Sequence, residues 1–217
     1  MLVGISGPDG AGKSTLAAAL AERLGSGDRT VVVVHPYGCV FCRRLPDPLR
    51  NDPAETDGLP GWLIPPRRAL HVVHGLVDAL TLVMTVARSH RGLSRHRHPV
   101  RLVLADRSAL DGLVKFRPRQ GALLERLFRR LALGFDRILL LHASPETLAL
   151  RDGEHPAAIL ALMSERFEMA AADMPIVVRL DADRSPEEVA LAAAAAVTPL
   201  VDSAFRAQPL PVTRSSA

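Results

Sequence analysis

One stretch near the amino end constrains the fold of this chain more than any other. Residues 7–15 read GPDGAGKST and complete the pattern G-x-x-x-x-G-K-[ST]. An apolar run at residues 2–6 (LVGIS) precedes the motif, and leucines recur at helical spacing in residues 16–24 after it. A glycine-rich loop between a strand and a helix is the context in which this motif binds phosphate. The sequence therefore predicts a buried strand that leads through an anion-binding loop into the first helix.

The residue types of the motif suit a nucleotide phosphate. Glycines let the backbone approach the anion closely, and the amide groups at the start of the helix face it. Lys13 supplies a compact positive charge, and the Ser14 hydroxyl is a ligand for Mg²⁺. The residues expected to contact the nucleotide phosphates are Gly7, Gly10, Ala11, Gly12, Lys13, Ser14 and Thr15. The plain alternative is a glycine-rich turn with no ligand, and the complete motif with its flanks favours the phosphate site.

Lysine usage also points to Lys13. The chain has 27 Lys and Arg residues, of which only Lys13 and Lys115 are lysine. A planar guanidinium would not fit a phosphate cradle that accepts an ammonium group, so we expect Lys13 to have a chemical role. For Lys115 the sequence indicates no role.

Length and charge limit the remaining possibilities. A chain of 217 residues with 48% hydrophobic content suits one globular domain. The net charge of +4 is spread over arginines, with the densest run at residues 88–101, and only 4% of residues are aromatic, which argues against nucleic-acid binding. With no continuous apolar run of about 18 residues and no leader pattern, we expect no membrane span and a cytoplasmic location.

Strand and helix patterns alternate along the chain. The predicted strands are residues 2–6, 30–35, 100–105, 137–142 and 176–180, and the predicted helices are residues 14–24, 66–91, 120–133, 157–172 and 186–197. Continuously apolar strands that alternate with helices indicate a parallel sheet buried on both faces. We expect an α/β fold, with three layers and five parallel strands, of the kind found in P-loop nucleoside triphosphatases. Ligands of such sheets bind at the carboxyl ends of the strands.

Three segments fall outside this alternation. Residues 37–66 are rich in Pro, Asp and Gly and are predicted to be an insertion loop, and residues 199–217 are predicted to be a flexible tail after a domain spanning residues 1–198. Cys39 and Cys42 lie in the insertion loop. They could bind metal together with His71 and His74, or act as a redox pair, or be unliganded thiols, and a single C-x-x-C pair favours the last of these.

The third predicted strand ends in Asp106-Arg107. Beside a phosphate loop, an acid at this place can hold Mg²⁺, and an arginine can clamp an anion. The same two residues would also occur if the acid only capped the next helix and the arginine were exposed to solvent without binding a ligand. The loop upstream favours the functional interpretation.

In these motifs the chain resembles the thymidylate kinase family of nucleoside monophosphate kinases, as a divergent member. The matching segments are residues 7–15, Asp106-Arg107 followed by Asp111, residues 143–151 (ASPETLALR), residues 165–170 (ERFEMA) and residues 180–189 (LDADRSPEEV). The resemblance covers residues 1–198 and implies transfer of the γ-phosphate of ATP, with Mg²⁺, to a (deoxy)nucleoside monophosphate or a related phosphorylated acceptor.

The resemblance also implies site residues. Lys13, Asp106, Arg107 and Arg151 would be catalytic, with Arg151 as the arginine of a lid at residues 151–156. Ser14 and Asp106 would hold the metal, and Arg184 and Ser185 would pack on adenine. The acceptor would contact Asp9, His35, Arg67, Arg68, Asp78 and Arg107. Family members are often homodimers, and the apolar helix over residues 70–86 could form such an interface or belong to the core.

Departures from the family pattern leave the acceptor open. The segment after the second strand reads His35-Pro36-Tyr37, Ser108 stands where an aromatic usually follows Asp-Arg, and no arginine follows Asp78. Two other functions are therefore compatible with the sequence. One is a kinase for a non-nucleotide hydroxyl, such as a sugar or antibiotic, with Asp106 or Asp9 as base. The other is an inactive relative that binds ATP.

Overall fold

A computed structural model describes residues 1–25, 29–36, 64–93 and 100–206 of the chain. Within these ranges, the side chains of residues 64–68, 70–71, 90, 92–93, 100–101 and 204–206 are outside the description. Five strands lie in the described residues: β1 (Leu2–Ser6), β2 (Arg29–Val34), β3 (Val100–Asp106), β4 (Arg137–His142) and β5 (Val177–Asp181).

All five strands belong to one parallel sheet with the order β2-β3-β1-β4-β5. β1 lies at its centre, where Ile5 is in register with Asp106 of β3 and Leu139 of β4. The carboxyl ends of β1 and β3 are therefore neighbours, which brings the glycine-rich loop next to the Asp106-Arg107 pair.

Seven helices are described around the sheet. They are α1 (Lys13–Leu24), α2 (Ile64–Leu93), α3 (Ala109–Phe116), α4 (Leu123–Ala132), α5 (Pro145–Asp152), α6 (Ala157–Ala171) and α7 (Pro186–Arg206). α1 and α7 contact each other, and α3 contacts α2, α4 and α6.

Alternate residues of the inner strands face two separate apolar cores. Val3 and Ile5 of β1 belong to the core that contains α1 and α7, whereas Leu2 belongs to the core that contains α3 and Phe128 of α4. Because successive side chains of a strand point to opposite faces, a continuous apolar run is required when helices cover both faces. The predicted α/β fold with a five-stranded parallel sheet and helices on both faces is confirmed.

The strands match their predicted bounds to within one residue. Five of the seven described helices were predicted, and α3 and α5 were not. Among the five, α2, α4 and α7 differ from their predicted bounds by two or more residues at one end or both. α2 begins at Ile64, so the last residues of the predicted insertion loop are helical; the two prolines that follow Ile64 lie in the first helical turn, where a missing N–H costs nothing. Residues 37–63 and 207–217 lie outside the described residues.

The predicted end of the last helix at residue 197 is wrong, because α7 continues through Pro199 to Arg206. Val197 and Val201 on either side of the proline are both buried in the core beneath α1 and α7. Packing of this apolar face keeps residues 199–206 helical despite the hydrogen bond that Pro199 cannot donate.

One stretch of α2 has the length and hydropathy of a membrane span. It is Val72–Ser89, with a mean hydropathy of 1.3 and 28% of its residues buried. A mostly buried core helix passes the same test, and α2 contacts β2, β3, α3 and α4. Its outer side carries the exposed side chains of Val72, Val73, Leu76, Leu80, Val83 and Met84.

Candidate functional site

Two glycines of the loop between β1 and α1 have left-handed backbone conformations. Gly10 and Gly12 have φ angles of 80° and 86°, in the left-handed region that other residues rarely adopt. A Cβ on Gly12, the N-cap of α1, would meet no atom within 4 Å, so the space in front of the first amides of α1 is open. On the other side of the loop, a Cβ on Gly10 would lie 2.5 Å from the carbonyl oxygen of Leu148. The loop is therefore open towards a ligand at Gly12 and packed tightly against α5 at Gly10.

The Lys13 side chain folds back onto this loop. Its Nζ donates hydrogen bonds to the carbonyl oxygens of Gly7 (2.9 Å) and Pro8 (2.7 Å) and to Asp9 Oδ1 (3.3 Å). Only 7% of the side chain is exposed. An ammonium group has three protons, so all of its donors are engaged by loop atoms, and a phosphate must exchange with one of these partners.

Asp9 joins the predicted donor side of the site to the predicted acceptor side. Its Oδ1 accepts from Lys13 Nζ and also from Arg107 Nη2, at 3.0 Å. Burial alone would raise the pKa of Asp9, but the charges of Lys13 and Arg107 outweigh it and lower the pKa. One carboxylate oxygen thus bridges two cations from different strand ends.

Arg107 is held by the fold in an unusual backbone conformation. Its φ angle is 92°, and its amide donates to the carbonyl oxygen of Ile5 at 3.0 Å. Its guanidinium lies between Asp9 and Asp111, with Nη1 3.8 Å from Asp111 Oδ1. Burial would lower the pKa of Arg107, but Asp111, Asp9 and Asp106 together raise it. A non-glycine residue at this φ costs of the order of 1–3 kcal/mol, and such strain tends to occur at functional sites.

A buried polar cluster supports Arg107 from below. Asp111 Oδ2 accepts from Ser6 Oγ (2.6 Å) and from the amide of Ser108 (2.9 Å), and the hydroxyls of Ser6 and Ser108 are 2.7 Å apart. Asp111 Oδ1 has no hydrogen-bond partner among the described residues and is directed at Arg107. Burial raises the pKa of Asp111, and Arg107 acts against this shift. The cluster ties β1 to the start of α3 and fixes the carboxylate on which Arg107 rests.

Ser14 and Asp106 form the pair that was predicted to bind metal. Ser14 Oγ donates to Asp106 Oδ2 at 2.6 Å, and His35 Nδ1 is 3.1 Å from the same oxygen. A hydroxyl and a carboxylate side by side are the hard oxygen ligands that Mg²⁺ takes when phosphates complete its shell, so the residues fit this ion. Within the described part of the chain, no group of three or more His, Cys, Asp or Glu side chains could hold a metal by itself.

Asp9, Lys13, Ser14 and Arg107 line an open cleft of about 480 Å³ at the carboxyl ends of β1 and β3. Its loop wall is formed by Asp9, Gly10, Gly12, Lys13, Ser14, Thr15 and Arg107. The opposite wall is formed by Asp152, Glu154 and His155, which follow α5. The predicted lid at residues 151–156 thus faces the loop, and the lid residues that line the cleft are two carboxylates and a histidine.

Arg151 lies in a second, mostly apolar pocket of about 150 Å³ next to the cleft. Its Nη1 donates to the carbonyl oxygen of Ala182 at 2.8 Å, and Arg184 lines the same pocket. Gly12 and Thr15 border both cavities. Arg151 and Arg184 therefore line the same pocket, which is where the resemblance places the adenine base. Arg151 does not line the cleft that contains Lys13. Ser185 is absent from the residues lining this pocket; it caps α7 through Glu188.

Asp78 does not reach either cavity. Its side chain is 3% exposed and accepts from Lys115 Nζ at 2.9 Å, with His74 Nε2 3.7 Å from the same oxygen. The position of Asp78 therefore does not support the prediction that it contacts the acceptor. Lys115, for which the sequence indicated no role, forms an ion pair with Asp78. The side chains of Arg67, Arg68 and His71 and the whole of Cys39 and Cys42 lie outside the described part of the structure.

Two groups of site residues were given no individual function by the sequence: Asp111, which was noted only as following Asp106-Arg107, and Asp152 and His155, which fall within the predicted lid. Asp111 follows Arg107 at helical spacing and forms a capping box with Ser108, so the S-x-x-D pattern was a readable signal for the start of α3. Asp152 and His155 gave no such signal, since a DGEH segment reads as an ordinary helix end.

Comparisons with known proteins do not identify a family for this chain. A scan of the chain against protein-family models finds no match, and a search of curated proteins finds none. The likeness to thymidylate kinases thus remains a prediction from the motifs.

Proposed function

We propose that this protein is an ATP-dependent phosphotransferase that passes the γ-phosphate of ATP, with Mg²⁺, to a nucleoside monophosphate or a related phosphorylated acceptor. The observation that carries the proposal is the single Asp9 oxygen that binds both Lys13 and Arg107. Two anions bound to these two cations would meet end to end in one cleft, which is the arrangement that direct phosphoryl transfer needs.

The donor would lie along α1. Its phosphates would bind the first amides of the helix in the open space at Gly12, and Lys13 would exchange its contacts with Asp9 and the loop carbonyls for phosphate oxygens. The apolar pocket beside Gly12, with Arg151 and Arg184 on its walls, suits a flat base.

Mg²⁺ would be held by Ser14 and Asp106 and would neutralise charge on the phosphates when bound. His35 contacts the same Asp106 oxygen as Ser14 and orients that carboxylate. A hydrogen bond to a metal-binding carboxylate fixes the direction of the oxygen lone pairs that face the metal.

The acceptor phosphate would bind Arg107, whose guanidinium is positioned by Asp111 and by the strained backbone. A phosphate acceptor is already an oxyanion, so its attack needs no general base. The lowered pKa of Asp9, the carboxylate that contacts both cations, is consistent with a reaction without a general base, because such a carboxyl is a poor proton acceptor. Catalysis would then come from positioning and charge neutralisation.

A kinase for a non-nucleotide hydroxyl is the second candidate. The observation in its favour is that Asp9 and Asp111 flank Arg107, so an acceptor phosphate must compete with two carboxylates for the guanidinium. An alcohol would not meet this competition, and it would need a carboxylate such as Asp106 or Asp9 as base.

A coupled assay of ADP release tests the proposal. Nucleoside monophosphates, nucleosides, sugars and aminoglycosides are supplied as acceptors to the wild-type protein and to Lys13→Ala, which sets the background. We expect release above background with a phosphorylated acceptor. Release only with unphosphorylated alcohols selects the second candidate. If the protein binds ATP but none of the acceptors raises ADP release above the Lys13→Ala background, it is an inactive relative, and this result overturns both.

A further inference from the structure

The charges of the cleft leave a polyanion short of positive partners. Its described cations are Lys13 and Arg107, and both already contact Asp9. The lid wall adds the carboxylates of Asp152 and Glu154. A triphosphate that enters between these walls meets more negative than free positive charge, and the arginine predicted to compensate, Arg151, lies in the neighbouring pocket.

His155 is the remaining basic group on the lid wall. Asp152 Oδ2 accepts hydrogen bonds from the His155 amide at 2.9 Å and lies 2.7 Å from its ring Nδ1. The same oxygen accepts from the Glu154 amide at 3.3 Å, so one carboxylate closes the turn and fixes the ring. His155 Nε2 has no hydrogen-bond partner among the described residues, and the His155 side chain is 40% exposed in the cleft.

The lid is held close to the loop by backbone packing. A Cβ on Gly10 would lie 2.5 Å from the carbonyl oxygen of Leu148, which is too close, and 3.2 Å from the amide nitrogen of Asp152, which is tight. His155 therefore stands across the cleft from Lys13 at a separation that the fold sets.

We propose that His155 is the anion-binding cation of the lid, which donates from Nε2 to the phosphates of a nucleotide held by the loop, with Asp152 as its positioning residue. This inference rests on the proposed function. Because the Asp152 carboxylate accepts a hydrogen bond from Nδ1–H, the proton of a neutral His155 ring lies on Nδ1. The Nε2 atom of that ring then has only a lone pair. The ring can donate to a phosphate only after it binds a second proton, so anion binding at the lid is linked to proton uptake.

The surrounding charges favour that proton. The hydrogen bond to Asp152 raises the pKa of His155, and Asp9 from the loop and Glu154 from the lid act in the same direction. Lys13 and Arg107 line the same cleft and oppose it, but both are paired with Asp9. A bound phosphate would raise the pKa further, since a nearby anion stabilises the imidazolium.

Calorimetric titration of the full chain with Mg·ATP at pH 5.5 and pH 8.5 tests the proposal. The variants are His155→Gln, which cannot become charged, and His155→Arg, which is always charged. His142→Gln is the matched control, because His142 is an exposed histidine that lines neither cavity. Ratios between variants at one pH cancel the titration of ATP itself.

We expect His155→Gln to bind Mg·ATP roughly five-fold more weakly than the wild type at pH 5.5 and about equally at pH 8.5. His155→Arg should bind at least as well as the wild type at both pH values, and His142→Gln should equal the wild type. In NMR spectra, Mg·ADP should raise the pKa of the His155 ring, a change that a purely structural role would not produce.

The outcomes separate this inference from the proposed function. If Lys13→Ala loses Mg·ATP binding while His155→Gln matches the wild type at both pH values, the phosphate site stands and the role of His155 is overturned. If Lys13→Ala binds Mg·ATP as the wild type does, the loop is not the nucleotide site and both proposals fall.

Discussion

The two walls of the cleft between the loop and the lid hold their charged side chains in different ways. On the loop wall, Asp9 bonds to Lys13 and to Arg107, which come from different strand ends, and Arg107 rests on a buried carboxylate. On the lid wall, Asp152 and His155 are three residues apart and pair within one turn. The first arrangement exists only in the folded sheet, whereas the second needs no more than a local turn.

The difference has a physical consequence. Charges that are buried and partnered across the fold are fixed before a ligand arrives, so their removal costs most in binding or stability. An exposed local pair contributes little to stability, but its histidine changes charge near neutral pH. We therefore expect the loop wall to set the strength of anion binding and the lid wall to set its dependence on pH.

The two lysines give the largest contrast. Lys13→Ala should weaken Mg·ATP binding by about 100-fold or more, because it removes a charged donor inside the proposed phosphate site. Its free energy of unfolding should change little, since its partners are loop carbonyls and the partly exposed Asp9. Titration calorimetry and urea denaturation measure the two quantities.

Lys115→Ala should behave in the opposite way. It leaves the Asp78 carboxylate, which is 3% exposed, without its cation and should lower the free energy of unfolding by about 1–3 kcal/mol. Mg·ATP affinity should stay at the wild-type value. Equal losses of affinity in the two lysine variants would contradict the distinction between a ligand-binding and a structural lysine.

Asp111→Ala removes the carboxylate beneath Arg107. It deletes bonds from Ser6 and from the Ser108 amide, and we expect the free energy of unfolding to fall by about 2–3 kcal/mol. Acceptor binding should weaken as well, because Arg107 loses the group that positions it. Denaturation curves and acceptor KM values check both effects, and an unchanged KM would mean that Asp9 alone orients the guanidinium.

Arg107→Ala tests the division of the cleft into donor and acceptor sides. The KM for the acceptor should rise by about ten-fold or more, while the KM for Mg·ATP changes by less than about three-fold. Steady-state kinetics with each substrate varied in turn gives both constants. Equal increases would show that the guanidinium serves both substrates.

The smallest effect is expected from the lid pair, through pH. The raised pKa of His155 means that the pair contributes stability fully below the unfolded value, about 6.5, and loses it as pH rises through the folded value. The lowered pKa of Asp152 means that the contribution is present above about 3.9 and is lost as pH falls through the folded value. The window of full contribution is therefore between about pH 4 and pH 6.5.

His155→Gln measures that contribution. Because the pair lies within one turn and the His155 side chain is 40% exposed, the loss in free energy of unfolding should not exceed about 1 kcal/mol at pH 5 and should vanish at pH 8.5. Urea denaturation at the two pH values gives the difference. A loss of the same size at both pH values would mean that the ring acts through packing and not through its charge.

The sequence predicted the parts of the site that depend on short-range patterns. The strand-loop-helix motif located Lys13 and Ser14, and the end of an apolar strand located Asp106 and Arg107. These signals lie within a few residues of one another, so they need no knowledge of the strand order. The contact between the two groups does need it, because only the adjacency of β1 and β3 brings Asp9 to Arg107.

Other features could not be predicted, because long-range packing decides them. Asp78 looked like a ligand-binding acid on a helix, and its partner Lys115 lies on another helix with no pattern to connect them. Pro199 looked like the end of the last helix, and burial of Val201 outweighs the missing hydrogen bond. Arg151 looked like the charge of the lid, and the direction of its side chain is set by the Ala182 carbonyl.

The scarcity of lysine makes the cleft easy to follow by covalent labelling. Apart from the amino terminus, the chain offers two primary amines to an acylating reagent, Lys13 at 7% exposure and Lys115 at 47%. Mass spectrometry of a briefly labelled sample would thus report on Lys13 in the cleft and on Lys115, which pairs with Asp78 and does not line the cleft. The second modification serves as an internal reference for the first, so occupancy could be followed without engineering a tag.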